Sequence, residues 1–244
     1  MKWVDIDLIL KTLVVGSYIV NTYIFGSSIT KEVVIVDPGA EAEKIINTID
    51  SIEAKPISVL ITHGHGDHVG AAAVVSNYYD IPILFHENSR KFDGSIINRE
   101  GLNEGDIITV GEYTLHVLET PGHSRDSLSY YSKDPKEFEG QKIDGIIFTG
   151  DLIFCRGIGR SDFGGGNSNQ LFSSIKNKIM YNPEITDDFL IFSGHSYSGG
   201  VTSVREERNQ NPYREYFLWR EMESFFCYSI FSENFQEIIS NYLI

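Results

Sequence analysis

The densest chemistry in this sequence lies in Thr62-His63-Gly64-His65-Gly66-Asp67-His68, where three imidazoles and a carboxylate fall within six residues. Imidazole nitrogen and carboxylate oxygen are the usual ligands of zinc and other first-row transition metals. Packing supplies no reason for such a cluster, because burying these groups without a cation leaves polar atoms unpaired. The internal position excludes an affinity tag.

The surrounding sequence must hold that cluster in place. Upstream, Ile57-Ser58-Val59-Leu60-Ile61 is a short β-branched apolar run that reads as a buried strand. Downstream, the Ala-rich run from Val69 to Tyr79 reads as a helix. The histidines therefore occupy a strand-to-helix loop, which points side chains into the crevice beyond the carboxyl end of a strand. Three later segments carry further donors: Thr120-Pro121-Gly122-His123-Ser124, Phe148-Thr149-Gly150-Asp151 and Ser193-Gly194-His195.

His-x-His-x-Asp-His, followed in order by those three segments, resembles the metallo-β-lactamase fold superfamily. Within it, Gly157-Ile158-Gly159-Arg160-Ser161-Asp162-Phe163 and Gly194-His195-Ser196-Tyr197 resemble the glyoxalase II and persulfide dioxygenase branch. The resemblance covers roughly residues 12–212. It implies an α/β fold, an αββα sandwich of two mixed β-sheets flanked by helices. It also implies that His63, His65 and His123 bind one metal, that Asp67, His68 and His195 bind another, and that Asp151 bridges them. Asp67 is either a ligand or a catalytic base. Zinc, two per chain, is the expected cofactor, with iron or manganese also compatible with His and Asp ligands. Arg160 and Tyr197 match positions where the branch contacts its glutathione moiety. Asp37 matches an aspartate behind the histidine loop that hydrogen-bonds a ligand; as a plain sequence feature it is equally a turn carboxylate.

The remaining elements follow in order. Val14–Tyr18 and Val20–Phe25 read as paired strands and Glu32–Val36 as a third, closed by the Asp37-Pro38-Gly39 turn. Ala42, Ile45, Ile46 and Ile49 form a helical stripe within Ala40–Ile52. Ile81–Phe85 is a strand, Lys91–Glu104 is polar and loop-like, and Asp106–Leu118 reads as two strands turned at Gly111-Glu112. Leu128–Tyr131, Ile146–Phe148 and Phe189–Ser193 are further strands; Lys133–Lys142 is a charged connection and Asn169–Met180 a helix. The whole of 1–244 is expected to form one domain, with 213–244 a helical C-terminal tail. His86 and His116 are expected to be ordinary surface or strand residues.

Composition narrows the functional classes. The chain has 244 residues, 41% hydrophobic and 22% charged, as an ordinary globular protein does. No apolar run reaches membrane-span length, so no membrane partner is expected. The first residues lack a signal-peptide pattern, and Cys155 and Cys227 form no Cys-x-x-Cys, which fits a cytoplasmic location. The 34 acidic residues outnumber the 20 basic ones, giving −14, which disfavours nucleic acid as a partner. Nothing in the sequence specifies an oligomeric state.

The leading expectation is a binuclear metallohydrolase acting on a thioester, hydroxyacylglutathione hydrolase-like. Water between two such metals loses a proton near neutral pH and becomes a hydroxide nucleophile. A thiolate leaving group has a pKa of about 8.5 and leaves with little help from an acid. The alternative is a mononuclear iron persulfide dioxygenase on His63, His123 and Asp151. A non-catalytic scaffold is disfavoured because no ligand is missing. The chain departs from full-length glyoxalase II proteins in having only roughly thirty residues after Tyr213. Arg214 and Arg220 match no glutathione motif there.

Overall fold

The computed structural model describes residues 7–89, 98–197 and 199–218. Two mixed six-stranded sheets dominate it. In spatial order the first contains β1 (Leu8–Val15), β2 (Val20–Ser27), β3 (Glu32–Val36), β4 (Lys55–Leu60), β5 (Ile83–His86) and β6 (Arg99–Leu102). It is antiparallel from β1 to β3 and parallel from β3 to β6. The second sheet contains, again in spatial order, β16 (Thr202–Ser203), β15 (Phe189–Ser193), β12 (Gly145–Gly150), β9 (Leu128–Ser132), β8 (Tyr113–Glu119) and β7 (Ile107–Val110). Within it only β12 and β15 pair parallel. Two hairpins of two-residue strands complete the β-structure: β10 (Glu137–Phe138) with β11 (Gln141–Lys142), and β13 (Ile153–Phe154) with β14 (Gly157–Ile158).

Central strands such as β3 and β12 are apolar on successive residues because both of their faces are covered. Tyr23, Phe25, Val34, Val36, Leu60, Ile146, Phe148 and Phe192 fill the space between the sheets. Their neighbours Ile24, Val33, Ile35, Val59 and Ile61 face the opposite way, under α1 (Ala42–Ser51) and α3 (Ala72–Tyr79). On the far side Ile147, Phe189 and Ile191 pack under α4 (Ser168–Ser174), the π-helical continuation Ile175–Met180, α5 (Val204–Gln210) and α6 (Arg214–Leu218). The layering is αββα. Each such fully buried aliphatic or aromatic side chain contributes about 1.5–3 kcal/mol.

Several boundaries differ from the sequence reading. The first strand is Leu8–Val15, not Val14–Tyr18. Positive φ at Gly16 and Ile19 turns the chain so that Val15 pairs with Val20. The expected Val69–Tyr79 helix is two pieces, α2 (Gly66–Val69) and α3, because the Ala71 amide leaves helical register to donate to the Pro38 carbonyl at 2.9 Å. Arg99–Leu102, read as loop, is an edge strand; three of its four residues are exposed, so it carries no apolar signal. Lys133–Lys142 contains the β10–β11 hairpin, and the Asn169–Met180 helix changes to π-helical hydrogen bonding at Ile175. Of the expected 213–244 tail, Arg214–Leu218 is helical and residues 219–244 lie outside the described residues.

Candidate metal centre

Parallel pairing brings the donor-bearing segments to one end of the sandwich. β3 and β4 run together, so Asp37 at the end of one meets Thr62 at the end of the other. β12 and β15 run together, so Asp151 and His195 emerge side by side. The two sheets are stitched at this edge by Asn21 N–H to the Gly194 carbonyl (2.8 Å), Leu128 N–H to the Thr62 carbonyl (2.7 Å) and the Tyr130 hydroxyl to the Ile61 carbonyl (2.6 Å). Gly194 packs so closely that a Cβ there would lie 2.3 Å from Asp151 Oδ1 and 2.8 Å from the His68 ring. Only glycine lets the β15 loop approach both donors.

All seven predicted donors converge. His65 Nδ1 lies 2.9 Å from both His63 Nε2 and His123 Nε2. His68 Nε2 and His195 Nε2 are 3.3 Å apart, and Asp67 Oδ2 is 3.9 and 3.6 Å from them. Asp151 stands between: Oδ1 is 3.4 Å from His68 Nε2, and Oδ2 is 3.4 Å from His123 Nε2 and 3.3 Å from His195 Nε2. Three donor groups could each hold an ion: His63, His65 and His123; Asp67, His68 and His195; and His63, His68 and Asp151.

Proton positions explain why a cation fits here. His123 Nδ1–H donates to the Arg160 carbonyl at 2.7 Å, and His195 Nδ1–H to the Tyr18 carbonyl at 2.9 Å. His68 Nδ1–H donates to Asp37 Oδ2 at 2.9 Å. Thr62 Oγ1 gives its own proton to Asp37 Oδ2 (2.6 Å), so His63 Nδ1–H donates to Thr62 Oγ1 at 3.1 Å. Each of these four rings, when neutral, therefore aims a bare Nε2 lone pair inward. A proton on His65 Nδ1 could serve one neighbouring lone pair and not both. Asp151 Oδ1 is buried with no hydrogen-bond partner, a costly state that a bound cation relieves. Facing lone pairs and an orphaned carboxylate oxygen are the arrangement a metal completes.

The electrostatics divide along the same lines. Burial holds His63 well below its ordinary pKa, and burial outweighs Asp151 to lower His123. Burial also opposes charge on His68, but the Asp151 and Asp37 carboxylates overcome it and raise it to about 9. Burial pushes the Asp151 carboxyl up, yet His68 and His195 beside it bring it far below the usual range. Asp37 is itself buried, with Oδ1 also accepting the Thr62 amide at 2.7 Å.

The predicted substrate contacts are placed differently from one another. The atom of Arg160 that reaches the centre is its carbonyl oxygen; its guanidinium, 70% exposed, pairs with Asp162 through two 2.9 Å hydrogen bonds. Tyr197 stacks on the His195 ring at 4.5 Å and 11°. Sequence reasoning missed Phe163 as a site residue; its ring sits 5.2 Å from those of His65 and His123. It lay within a quoted motif but has no donor atom to draw notice. Thr62 and the Tyr18 carbonyl were missed because they contact the donor rings from behind and are not themselves among the donors. Beside Asp67 a cavity of about 490 Å³ opens, lined by Val15, Ser17, Tyr18, Ala40 and Gly66 among others. His86 is buried on β5 near Glu119 (3.6 Å), and His116 stacks on Tyr131; neither joins the centre.

A family model for the metallo-β-lactamase superfamily matches residues 15–195. The chain belongs to that superfamily. Among its relatives, the probable metallo-hydrolase YqgX of Bacillus subtilis is 35% identical over 87% of this chain and 97% of its own length. The hydroxyacylglutathione hydrolase GloC of Haemophilus influenzae is 32% identical over 75% and 87%. The crystal structure of ETHE1 from Myxococcus xanthus superposes with a TM-score of 0.73 at 30% identity, covering 86% of this chain and 88% of that one. As a member of this metal-binding superfamily, the chain carries its His/Asp cluster at the shared end of the two sheets. Among the described residues no helix is long and apolar enough to cross a membrane.

Proposed function

We propose that this chain is a binuclear metallohydrolase that cleaves a thioester. The observation that carries the reading is the pair of interlocked donor groups. His63, His65 and His123 form one, Asp67, His68 and His195 the other, and Asp151 lies against both. Five imidazoles and two carboxylates of the centre would hold two dications and leave the site net positive, favouring an oxyanion. When bound, the metals supply an activated water and polarise the substrate carbonyl.

The chain's own residues do the rest. Asp37, the Thr62 hydroxyl and the Tyr18 and Arg160 carbonyls orient the histidines. Asp67 is part-exposed and lines the cavity, where it would hold a water proton. Phe163 and Tyr197 wall the centre on opposite sides with aromatic rings. Burial and the nearby Asp151 and Asp67 raise the Tyr197 phenol, so it stays protonated and can donate to an anionic group. Similarity to the Haemophilus influenzae hydroxyacylglutathione hydrolase supports a glutathione-derived thioester, zinc is the leading metal, and the sparse cysteines support a cytoplasmic setting.

Steady-state assays with S-lactoylglutathione and simple thioesters, on protein reloaded with zinc, iron or manganese, test the reading. No turnover with any metal sinks it. The second reading, an iron persulfide dioxygenase on His63, His123 and Asp151, draws on the Gly159–Phe163 motif, whose Phe163 lies against His123. His65→Ala separates the two. The hydrolase loses one of the ligands of its first metal and should fail. The dioxygenase keeps its three ligands, and oxygen uptake with a glutathione persulfide should persist.

A further inference from the structure

A second polar cluster lies outside the centre, on α5. Glu207 is fully buried. Burying a carboxylate is costly unless it is fully paired, and this one is. Its Oε1 accepts from Arg156 Nη1 (2.5 Å) and Thr202 Oγ1 (2.6 Å). Its Oε2 accepts from the Arg156 backbone amide (2.9 Å) and Asn211 Nδ2 (2.8 Å). Asn211 Nδ2 also donates to the Gly157 carbonyl at 3.0 Å.

Of the four donors to Glu207, those of Thr202 and Asn211 flank α5, while two, the Arg156 amide and guanidinium, belong to the β13–β14 hairpin. Arg156, at its tip, has a φ of +59°, a conformation that non-glycine residues keep only when their surroundings enforce it. The two legs of that hairpin end at the metal centre. One begins at Asp151. The other ends at Gly159, whose amide donates to the Leu152 carbonyl at 3.2 Å. A Cβ on Gly159 would lie 1.8 Å from the Asp151 carbonyl oxygen and 3.3 Å from His123 Nδ1. The next residue, Arg160, supplies the carbonyl that takes the His123 Nδ1–H. α5 is fixed in turn by the Arg205 amide on the Asp187 carbonyl (2.9 Å) and by Arg208 on Asp187 (2.9 Å) and the Met180 carbonyl (2.6 Å).

We infer that Glu207, through Arg156, is a positioning residue for the His63, His65 and His123 half of the centre. It holds the hairpin at the height where the Arg160 carbonyl locks the His123 tautomer. It touches no donor itself. The inference rests on the metal-centre reading for its consequence and on hydrogen-bond geometry for its substance.

The test uses nitrogen-15 NMR of the full chain, following the Nδ1–H protons of His123, His68 and His195, with parallel zinc titrations. Glu207→Gln loses two of its acceptor sites, and Arg156→Ala serves if that variant fails to fold. In either, the His123 Nδ1–H should exchange several-fold faster while those of His68 and His195 are unchanged. Zinc affinity at one of two steps should weaken by roughly 10–100-fold, as when ligand-supporting partners are removed. Unchanged His123 exchange overturns the inference, and so does equal acceleration at all three rings, which marks a merely structural carboxylate. A wild-type protein that binds fewer than two zinc ions refutes the binuclear reading instead, while the exchange measurement still judges Glu207.

Discussion

The two halves of the centre share Asp151, and the His63 and His68 rings lie 4.2 Å apart, but the halves are held by different means. His68 is backed by a buried carboxylate, Asp37, at the end of a central strand. His123 is backed by a main-chain carbonyl on a loop that leaves a small hairpin. The carboxylate helps raise His68 to about 9, whereas burial keeps His63 and His123 low. One half is thus controlled by charge and the other by geometry. A charge change should act on the first through protons, and a backbone shift should act on the second through alignment.

Asp151→Ala should have the largest effect, because it removes the group common to both halves. It deletes the negative charge that would lie between two dications in the proposed reading and also removes a counter-charge of His68. We expect most bound metal to be lost and activity to fall by at least about 10–100-fold. Metal analysis and the thioester assay check this. Full metal content with full activity would refute the site assignment.

Asp37→Asn should break the symmetry of the two halves. Its amide nitrogen would face either the Thr62 backbone N–H at the Oδ1 position, or the Thr62 hydroxyl and His68 Nδ1–H together at the Oδ2 position, setting donor against donor. His68 is then pressed toward the tautomer that carries its proton on Nε2, which blocks the lone pair a metal needs. The half containing His68 and His195 should weaken by about 10–100-fold, and the His123 half less, since only His63 of that half meets Asp37 and does so through Thr62. Stepwise metal titration would show one affinity moved; two equal shifts would mean that the halves are not separately controlled.

A pH titration reads the same contrast without mutation. His68 in the metal-free fold is raised to about 9, against about 6.5 in an unfolded chain. Its proton therefore stabilises the metal-free fold fully below about pH 6.5, and that stability is lost as pH rises through about 9. Metal must displace the proton, so affinity at this half should climb about tenfold per pH unit from 6.5 and level off above 9. The lowered His63 and His123 offer their lone pairs across that range, so the other half should be nearly flat. Chelator-competition titrations between pH 6.5 and 9.5 measure both; parallel slopes would contradict the assignment.

His63, His65, Asp67 and His68 were legible in the sequence because they are ligand residue types closely spaced on one loop, whereas His123, Asp151 and His195 were read through family resemblance. The sandwich was legible through continuous apolar runs such as Val33–Val36 and Ile146–Phe148, although its layering came from family resemblance. What stayed hidden lies in tertiary geometry. Arg99–Leu102 is an edge strand with polar residues, so periodicity had nothing to register. The carbonyls of Tyr18 and Arg160 orient histidines, and a carbonyl belongs to every residue, so no sequence pattern marks it. Glu207 stands in the sequence only within the Val201–Pro212 segment, Glu206-Glu207-Arg208 and Asn211-Pro212, that resembles the persulfide dioxygenase branch; its burial and its partners belong to tertiary structure.

Arg160 makes the smallest and sharpest case. By sequence it is a cation suited to glutathione, but its guanidinium faces solvent and is occupied by Asp162. The part that supports His123 is the carbonyl, which alanine retains. Arg160→Ala should therefore leave metal content and melting temperature unchanged, since an exposed ion pair contributes little. If the side chain leaves Asp162 to meet a substrate carboxylate, KM for glutathione thioesters should rise several-fold while simple thioesters are unaffected. Asp162→Asn frees the same guanidinium and should move KM the other way. Loss of metal in Arg160→Ala would mean that the side chain, and not the main chain, aligns the His123 half.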